Sequence, residues 1–292
     1  FHWKELGIGL YPPKYGDMAF SGSAVLDKGN TSGWGTKEKP PLVLAYTSTG
    51  RGECIAFSND RGRTFTDFAG NPVVKHAKGE GRDPRLFWYG EAKAGGGGGH
   101  WGMAVYDEDA GLPEPERRGV AFYTSTDLKA WTMASRIGGF FECPDMFELP
   151  VDGGKNGSRW VLTAADSSYM VGTFDGKAFT PDEMDGKVGR KHPGNSSDTF
   201  YAAQTFSGTP DGRRIQIGWG RIDTPGMPFN QMMSFPCELT LRTTPDGVRL
   251  FAWPVKEIEK LVKGERRFTD VKVEVEKPWR TEAAGELLDV EA

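Results

Sequence analysis

A strand, an Asp-centred turn and an aromatic residue that opens the next strand recur along this chain, and that repeat restricts its fold more than any other feature. Ser58-Asn59-Asp60-Arg61-Gly62-Arg63-Thr64-Phe65 resembles Ser125-Thr126-Asp127-Leu128-Lys129-Ala130-Trp131, and Thr173-Phe174-Asp175-Gly176-Lys177-Ala178-Phe179 is a third copy. Tyr46-Thr47-Ser48-Thr49 likewise resembles Tyr123-Thr124-Ser125-Thr126. Counted on Asp60, Asp127 and Asp175, the copies lie 67 and 48 residues apart. Four-stranded propeller blades repeat about every 40–50 residues, more with insertions. The repeat therefore predicts a β-propeller. Its alternative is convergent turn chemistry, since Asp and Gly fill most turns.

The surrounding sequence agrees with an all-β fold. Short strand-like runs such as Leu42-Val43-Leu44-Ala45-Tyr46, Gly102-Met103-Ala104-Val105-Tyr106, Val120-Ala121-Phe122-Tyr123 and Ile215-Gln216-Ile217-Gly218-Trp219 are bounded by Gly, Pro, Asp and Asn. Aromatics at 12%, with 40 Gly and 19 Pro in 292 residues, suit short strands and frequent turns. Only Pro254 to Lys263 has helical spacing, with Val255, Ile258 and Leu261 on one face. Gly95 to Gly99 reads as a hairpin insertion; no Lys-Ser/Thr follows it, which excludes a P-loop. From Phe268 the chain alternates, with Val271, Val273 and Val275 on one face, as if a second β-domain began there. The expected division is a propeller over 1–255, a linker helix over 256–267 and the start of a β-sandwich over 268–292. Phe1-His2-Trp3-Lys4 opens as if inside an element and Leu287-Leu288-Asp289-Val290 stops inside an alternating run, so the sequence reads as truncated at both ends.

Charge and cysteine usage narrow the partners. The net charge is −4 with no basic block, which leaves no electrostatic footprint for nucleic acid or an anionic membrane. No apolar run approaches the roughly 18 residues of a membrane span. Cys54, Cys143 and Cys237 are too few and scattered for a disulfide framework or a zinc site, and His2, His76, His100 and His192 lack metal-ligand spacing, so no metal or cofactor is expected. The absence of a Gly-x-Ser-x-Gly elbow argues against a serine nucleophile.

Two carboxylates stand out. Arg82-Asp83-Pro84 precedes the apolar run Leu86-Phe87-Trp88-Tyr89, and Pro84 biases Asp83 toward extended geometry. An adjacent Arg lowers a carboxylate's pKa and keeps it charged. A structural ion pair at a strand start is the competing reading. Phe140-Phe141-Glu142-Cys143-Pro144-Asp145 sets Glu142 among aromatics, where desolvation raises a pKa as a general acid near neutral pH requires. A buried Glu bonded to an Arg is the alternative there. Glycoside cleavage uses one protonated and one ionised carboxyl. Trp34, Trp101 and Trp219 are candidate sugar platforms, with a core position the alternative for each.

These residues, taken with Phe20-Ser21-Gly22-Ser23-Ala24, Asn30-Thr31-Ser32-Gly33, Phe147-Glu148-Leu149-Pro150, Phe200-Tyr201-Ala202-Ala203-Gln204 and Glu238-Leu239-Thr240-Leu241-Arg242, resemble in order the motifs of glycoside hydrolase family 32, which includes levanases, inulinases and invertases. The likeness runs from Phe1 to about Leu261. It implies a five-bladed propeller, here with an incomplete first blade, followed by a β-sandwich. It implies a retaining cleavage of β-fructosidic bonds in levan, inulin or sucrose, outside the cell or in the periplasm. By the same resemblance, Glu142 matches the acid/base. Asp83 matches the acid that binds fructose hydroxyls and stabilises the transition state, with Arg82 beside it. Phe20, Ser21, Trp34 and Trp219 match the subsite wall, Tyr201 lies near the pocket, and Cys143 packs behind the acid/base.

One departure is large. The family nucleophile is an Asp in a Trp-Met-Asn-Asp-Pro-type motif, and none occurs in these 292 residues. Phe1-His2-Trp3-Lys4-Glu5-Leu6 resembles the end of the first blade, which places that motif upstream and predicts an inactive fragment. The competing readings are a non-catalytic sugar-binding propeller and an arabinan- or xylan-cleaving propeller hydrolase.

Overall fold

A computed structural model describes residues 4–11, 16–75, 81–90, 98–182, 190–191, 199–272, 274, 276–277 and 279–281. The chain divides into two compact units, Phe1–Pro254 and Val255–Ala292.

The first unit is an all-β propeller of four described blades, each an antiparallel sheet. Blade one holds β1 (Ala19–Leu26), β2 (Leu42–Ser48), β3 (Gly52–Ser58) and β4 (Thr66–Asp67), with β5 (Val74–Lys75) also on β3. Blade two holds β6 (Gly81–Tyr89), β7 (His100–Glu108), β8 (Arg118–Ser125) and β9 (Thr132–Gly138). Blade three holds β10 (Asp145–Pro150), β11 (Ser158–Thr163), β12 (Ser168–Phe174) and β13 (Phe179–Pro181), with β14 (Arg190–Lys191) on β12. Blade four holds β15 (Phe200–Phe206), β16 (Arg214–Gly220), β17 (Met232–Met233), β18 (Cys237–Thr244) and β19 (Gly247–Pro254).

The blades stack through apolar side chains that alternate along each strand. On β6, Leu86 packs toward blade one with Val25, Val43, Ile55, Trp101 and Met103, while Phe87 packs toward blade three with Phe122, Met146, Leu162 and Phe174. On β10, Met146 joins the second of these cores and Phe147 a third, with Val161, Leu239, Leu241 and Leu250. Adjacent residues of one strand thus enter different cores. This is why the strands read as continuous apolar runs rather than as a polar–apolar alternation.

The repeated Asp marks one place in the blade, the turn from the third strand to the fourth. Asp60 accepts the amides of Arg63 and Thr64, Asp127 those of Lys129 and Ala130, and Asp175 those of Lys177 and Ala178. The residue after each is left-handed: Arg61 at φ 62°, Leu128 at 63° and Gly176 at 95°. Blade four keeps only the left-handed residue at this place, Gly247 at φ 97°, paired with Thr244 across a short turn.

In the second unit the helical spacing read from Pro254 to Lys263 is realised as a 3₁₀ segment, Lys256–Leu261. Its first carbonyls bond three residues ahead, as Ile258 N–H to Val255 O, and residues 262–267 are not helical. The expected strand face Val271, Val273, Val275 includes two positions outside the described residues. So do Phe1-His2-Trp3, His76, Gly95 to 97, His192 and Leu287 to Val290. Among the described residues no helix is long and apolar enough to cross a membrane.

Candidate active site

The first strands of the four blades meet one another, and their N-terminal ends carry the site. Ser23 Oγ on β1 donates to Pro84 O and accepts Leu86 N–H of β6, both at 2.8 Å. Arg85 on β6 pairs with Asp145 on β10 at 2.8 Å and donates to Thr205 O on β15 at 2.9 Å. Three of these strands are irregular where they begin: β1 between Ala19 and Gly22, β6 between Arg82 and Arg85, and β15 between Tyr201 and Gln204. Such bulges re-aim side chains out of the ladder. Gly22 closes the first, since a Cβ there would stand 1.8 Å from Ala45 O.

Strain gathers at the same level. Asp83 (φ 62°), Glu142 (55°), Cys143 (43°) and Ala202 (51°) all hold left-handed backbone without being glycine. Each such residue costs roughly 1–3 kcal/mol and is found where surrounding structure imposes it, often at functional sites. Pro84 was expected to keep Asp83 extended; the bulge on β6 overrides that preference.

Glu142 is held from two sides. Arg82 donates from Nε (3.1 Å) and Nη2 (2.8 Å) to its Oε1, and the Tyr201 hydroxyl donates to its Oε2 at 2.5 Å. Arg82 in turn stands 4.7 Å from the Tyr106 ring centroid and 5.8 Å from that of Phe141, within range of the cation–π attraction. Its guanidinium therefore serves Glu142, 60 residues away, as well as neighbouring Asp83. The apolar enclosure expected from Phe140-Phe141-Glu142 is only partly realised: Phe140 is buried, but the Glu142 side chain is 24% exposed. The reading of a Glu bonded to an Arg describes the geometry. It does not exclude the chemical role, because the pair lies at the blade ends rather than in a core.

Asp83 is 5% exposed, and its Oδ2 accepts the Cys143 amide at 3.0 Å and the Cys143 thiol at 3.5 Å. Arg82 does act to lower its pKa, but the net shift is upward, against the expectation from the sequence. Burial raises the Asp83 carboxyl above the ordinary aspartate range, and the bonds from Cys143 and the charge of Arg82 offset only part of that. Burial and the Asp83 charge likewise raise the Cys143 thiol, which makes it an inert packing group and a hydrogen-bond donor. The Tyr201 phenol is raised by burial and by its bond to Glu142.

The remaining candidates separate into rim and core. Trp219 is 39% exposed and meets Tyr201 edge-on at 6.2 Å, and Arg221 lies over both rings at 5.0 and 5.4 Å. Phe20 and Ser21 are exposed within the β1 bulge. Trp34 stacks on Phe57 at 4.7 Å and leans on Phe68, packing against the core between blades one and two, and Trp101 is buried in that core. His100 bonds Gly176 O at 2.7 Å, a blade-to-blade contact.

Thr47 and Glu53 were missed. Asp83 N–H donates to Thr47 Oγ1 at 2.9 Å, and that hydroxyl donates to buried Glu53 at 2.8 Å. In the sequence Thr47 stands out only as a member of the Tyr-Thr-Ser-Thr repeat, and Glu53 carries no local signal at all.

A family model described as glycosyl hydrolases family 32 N-terminal domain matches residues 1–254. A levanase of Bacillus subtilis is 39% identical over 285 residues, covering 88% of this chain and 39% of its own length. An extracellular exo-inulinase of Aspergillus niger is 32% identical, covering 87% of this chain and 54% of its own. The crystal structure of the Aspergillus awamori exo-inulinase superposes with a TM-score of 0.64 at 31% identity, over 82% of this chain and 53% of that one. The chain thus spans about half or less of the length of the relatives it matches.

Proposed function

The chain belongs to glycosyl hydrolases family 32, and from that premise we propose that it forms the catalytic propeller of a retaining β-fructosidase acting on levan, inulin or sucrose. The observation that carries this reading is the cluster Arg82–Glu142–Tyr201 beside Asp83–Cys143, two carboxyls in unlike surroundings at the converging strand ends. Glu142, reachable from solvent and oriented through both oxygens, protonates the glycosidic oxygen as the bond to fructose breaks. The same residue then takes a proton from the water that hydrolyses the fructosyl–enzyme ester. Asp83, buried and pinned by Cys143, accepts sugar hydroxyls. Trp219 and Phe20, both exposed, line the approach.

The covalent step needs a further carboxylate about 5–5.5 Å from the acid. In this reading it is the Asp of an Asn-Asp-Pro motif, which these 292 residues do not contain. The relatives are named for levan, inulin and, in Schizosaccharomyces pombe, invertase activity, and one is named extracellular. Those likenesses support a reading of action on fructans outside the cell. A sugar-binding propeller without catalysis is the second reading, favoured by the missing motif alone.

The test is Glu142→Gln in the nucleophile-bearing chain. Turnover of sucrose and levan should fall by about 10²–10⁴ while the circular dichroism spectrum is unchanged; near-normal turnover rejects the assignment. Fructose release by the 292 residues alone would reject the placement of the nucleophile.

A further inference from the structure

Glu53 is a buried carboxyl that the chemistry above leaves without a task. It lies on β3 opposite Thr47 of β2 and is 1% exposed. The Asp83 N–H donates to Thr47 Oγ1, and that hydroxyl lies 2.8 Å from Glu53 Oε2. The relay runs from Glu53 through Thr47 to Asp83. It ends on the backbone of a residue held at φ 62°, whose carboxyl is aimed at Cys143. The titratable groups facing Glu53 are Asp83 from β6, the Tyr123 phenol from β8 and the neighbouring Cys54 thiol on β3; among the described residues no cation pairs with it. An ordinary structural glutamate this deep is paired with an arginine or lysine.

We propose that Glu53 is a positioning residue for Asp83, holding the aspartate's left-handed backbone through Thr47 so that its carboxyl is presented to the sugar. The inference rests on the reading of Asp83 as the fructose-binding acid. Glu53 does this as the neutral acid. Burial, opposed by the Thr47 bond and aided by the charge of Asp83, pushes its carboxyl up to about 8. Ionisation would put a second, uncompensated negative charge beside Asp83, and the repulsion between the two disturbs the placement of the Asp83 carboxyl. The folded acid constant lies above the unfolded one. Between about pH 4.5 and 8 the folded chain keeps a proton that the unfolded chain has released, and stability falls as pH rises through that window.

The experiment compares the 292-residue chain with its Glu53→Gln, Glu53→Ala and Thr47→Val variants, by fructose titration calorimetry and thermal melts from pH 5 to 9. Gln matches the neutral acid in shape and cannot ionise. Wild-type fructose affinity should drop about tenfold or more between pH 6 and 9, one unit of proton linkage being tenfold. Glu53→Gln should show a flat profile and a melting-temperature advantage that grows toward pH 8. Glu53→Ala and Thr47→Val should bind weakly at every pH. Parallel profiles for wild type and Glu53→Gln overturn the proposal. If fructose binds none of the proteins, the reading of Asp83 fails. Glu53 is then judged by the carboxyl carbon resonance of ¹³C-labelled Asp83, which should show an inflection near pH 8 in wild type that Glu53→Gln removes. Absence of that inflection also overturns the proposal.

Discussion

Asp83 and Glu142 are both carboxyls at strand ends, and their surroundings differ. Glu142 faces outward and is gripped by an arginine and a phenol. Asp83 is enclosed, with a backbone amide and a thiol on one oxygen. Asp83→Asn keeps the size and removes the charge that sugar hydroxyls would meet. Hydrogen bonds to charged groups contribute about 1.5–3 kcal/mol each, so fructose affinity should fall at least about tenfold, read by calorimetry on the 292-residue chain. Unchanged affinity would remove Asp83 from the site. Arg82, Asp83, Glu142 and Cys143 were legible because each pair is contiguous and its motif is local. Thr47 and Glu53 were not, because 36 residues separate Thr47 from Asp83 and only the fold brings them together. Trp34 shows the converse: its ring is the right type for a sugar platform, and the structure spends it on the stack with Phe57.

At the scale of the element, the repeat is a turn rather than a strand signature. An Asp carboxylate gathers two amides, and the following residue takes left-handed backbone. In blade three that residue is Gly176, which bears the conformation without a Cβ penalty; in blade one it is exposed Arg61. Left-handed backbone costs an L-residue roughly 1–2 kcal/mol, against about 0.5–1 kcal/mol of extra chain entropy for glycine. Arg61→Gly should therefore stabilise the fold by about 0.5–1 kcal/mol, seen as a higher urea midpoint at unchanged slope; a lower midpoint would mean that Arg61 makes a compensating contact. The same geometry explains why the sequence repeat showed three copies. In blade four the loop between paired Thr244 and Gly247 is only Pro245-Asp246, with no room for the longer pattern.

For the whole molecule, the first strands are fastened by a buried ion pair. Arg85 and Asp145, 5% and 0% exposed, join blades two and three, and both bind Thr205 of blade four, whose amide reaches Asp145 at 2.7 Å. Arg214 adds a donor to Thr205 at 3.3 Å. Arg85→Met would strand the aspartate and should cost about 3–5 kcal/mol in urea unfolding, whereas Arg85→Met with Asp145→Leu should cost less than the single change. An equal or larger loss in the double variant would mean that the pair itself, and not the unpaired charge, holds the blades.

By itself the sequence determined the class of fold and the turns of the blades, and it singled out two carboxyls as candidates, because these depend on features within a few residues: strand periodicity, an Asp and the amides just after it, and short motifs around each carboxyl. Tertiary structure alone decided which carboxyl is buried, which one Arg82 grips, that Asp83 is left-handed despite Pro84, and that Glu53 stands behind it. Each of those outcomes is a balance of desolvation, charge and backbone strain among residues from different blades. Such a balance has no value until the strands converge.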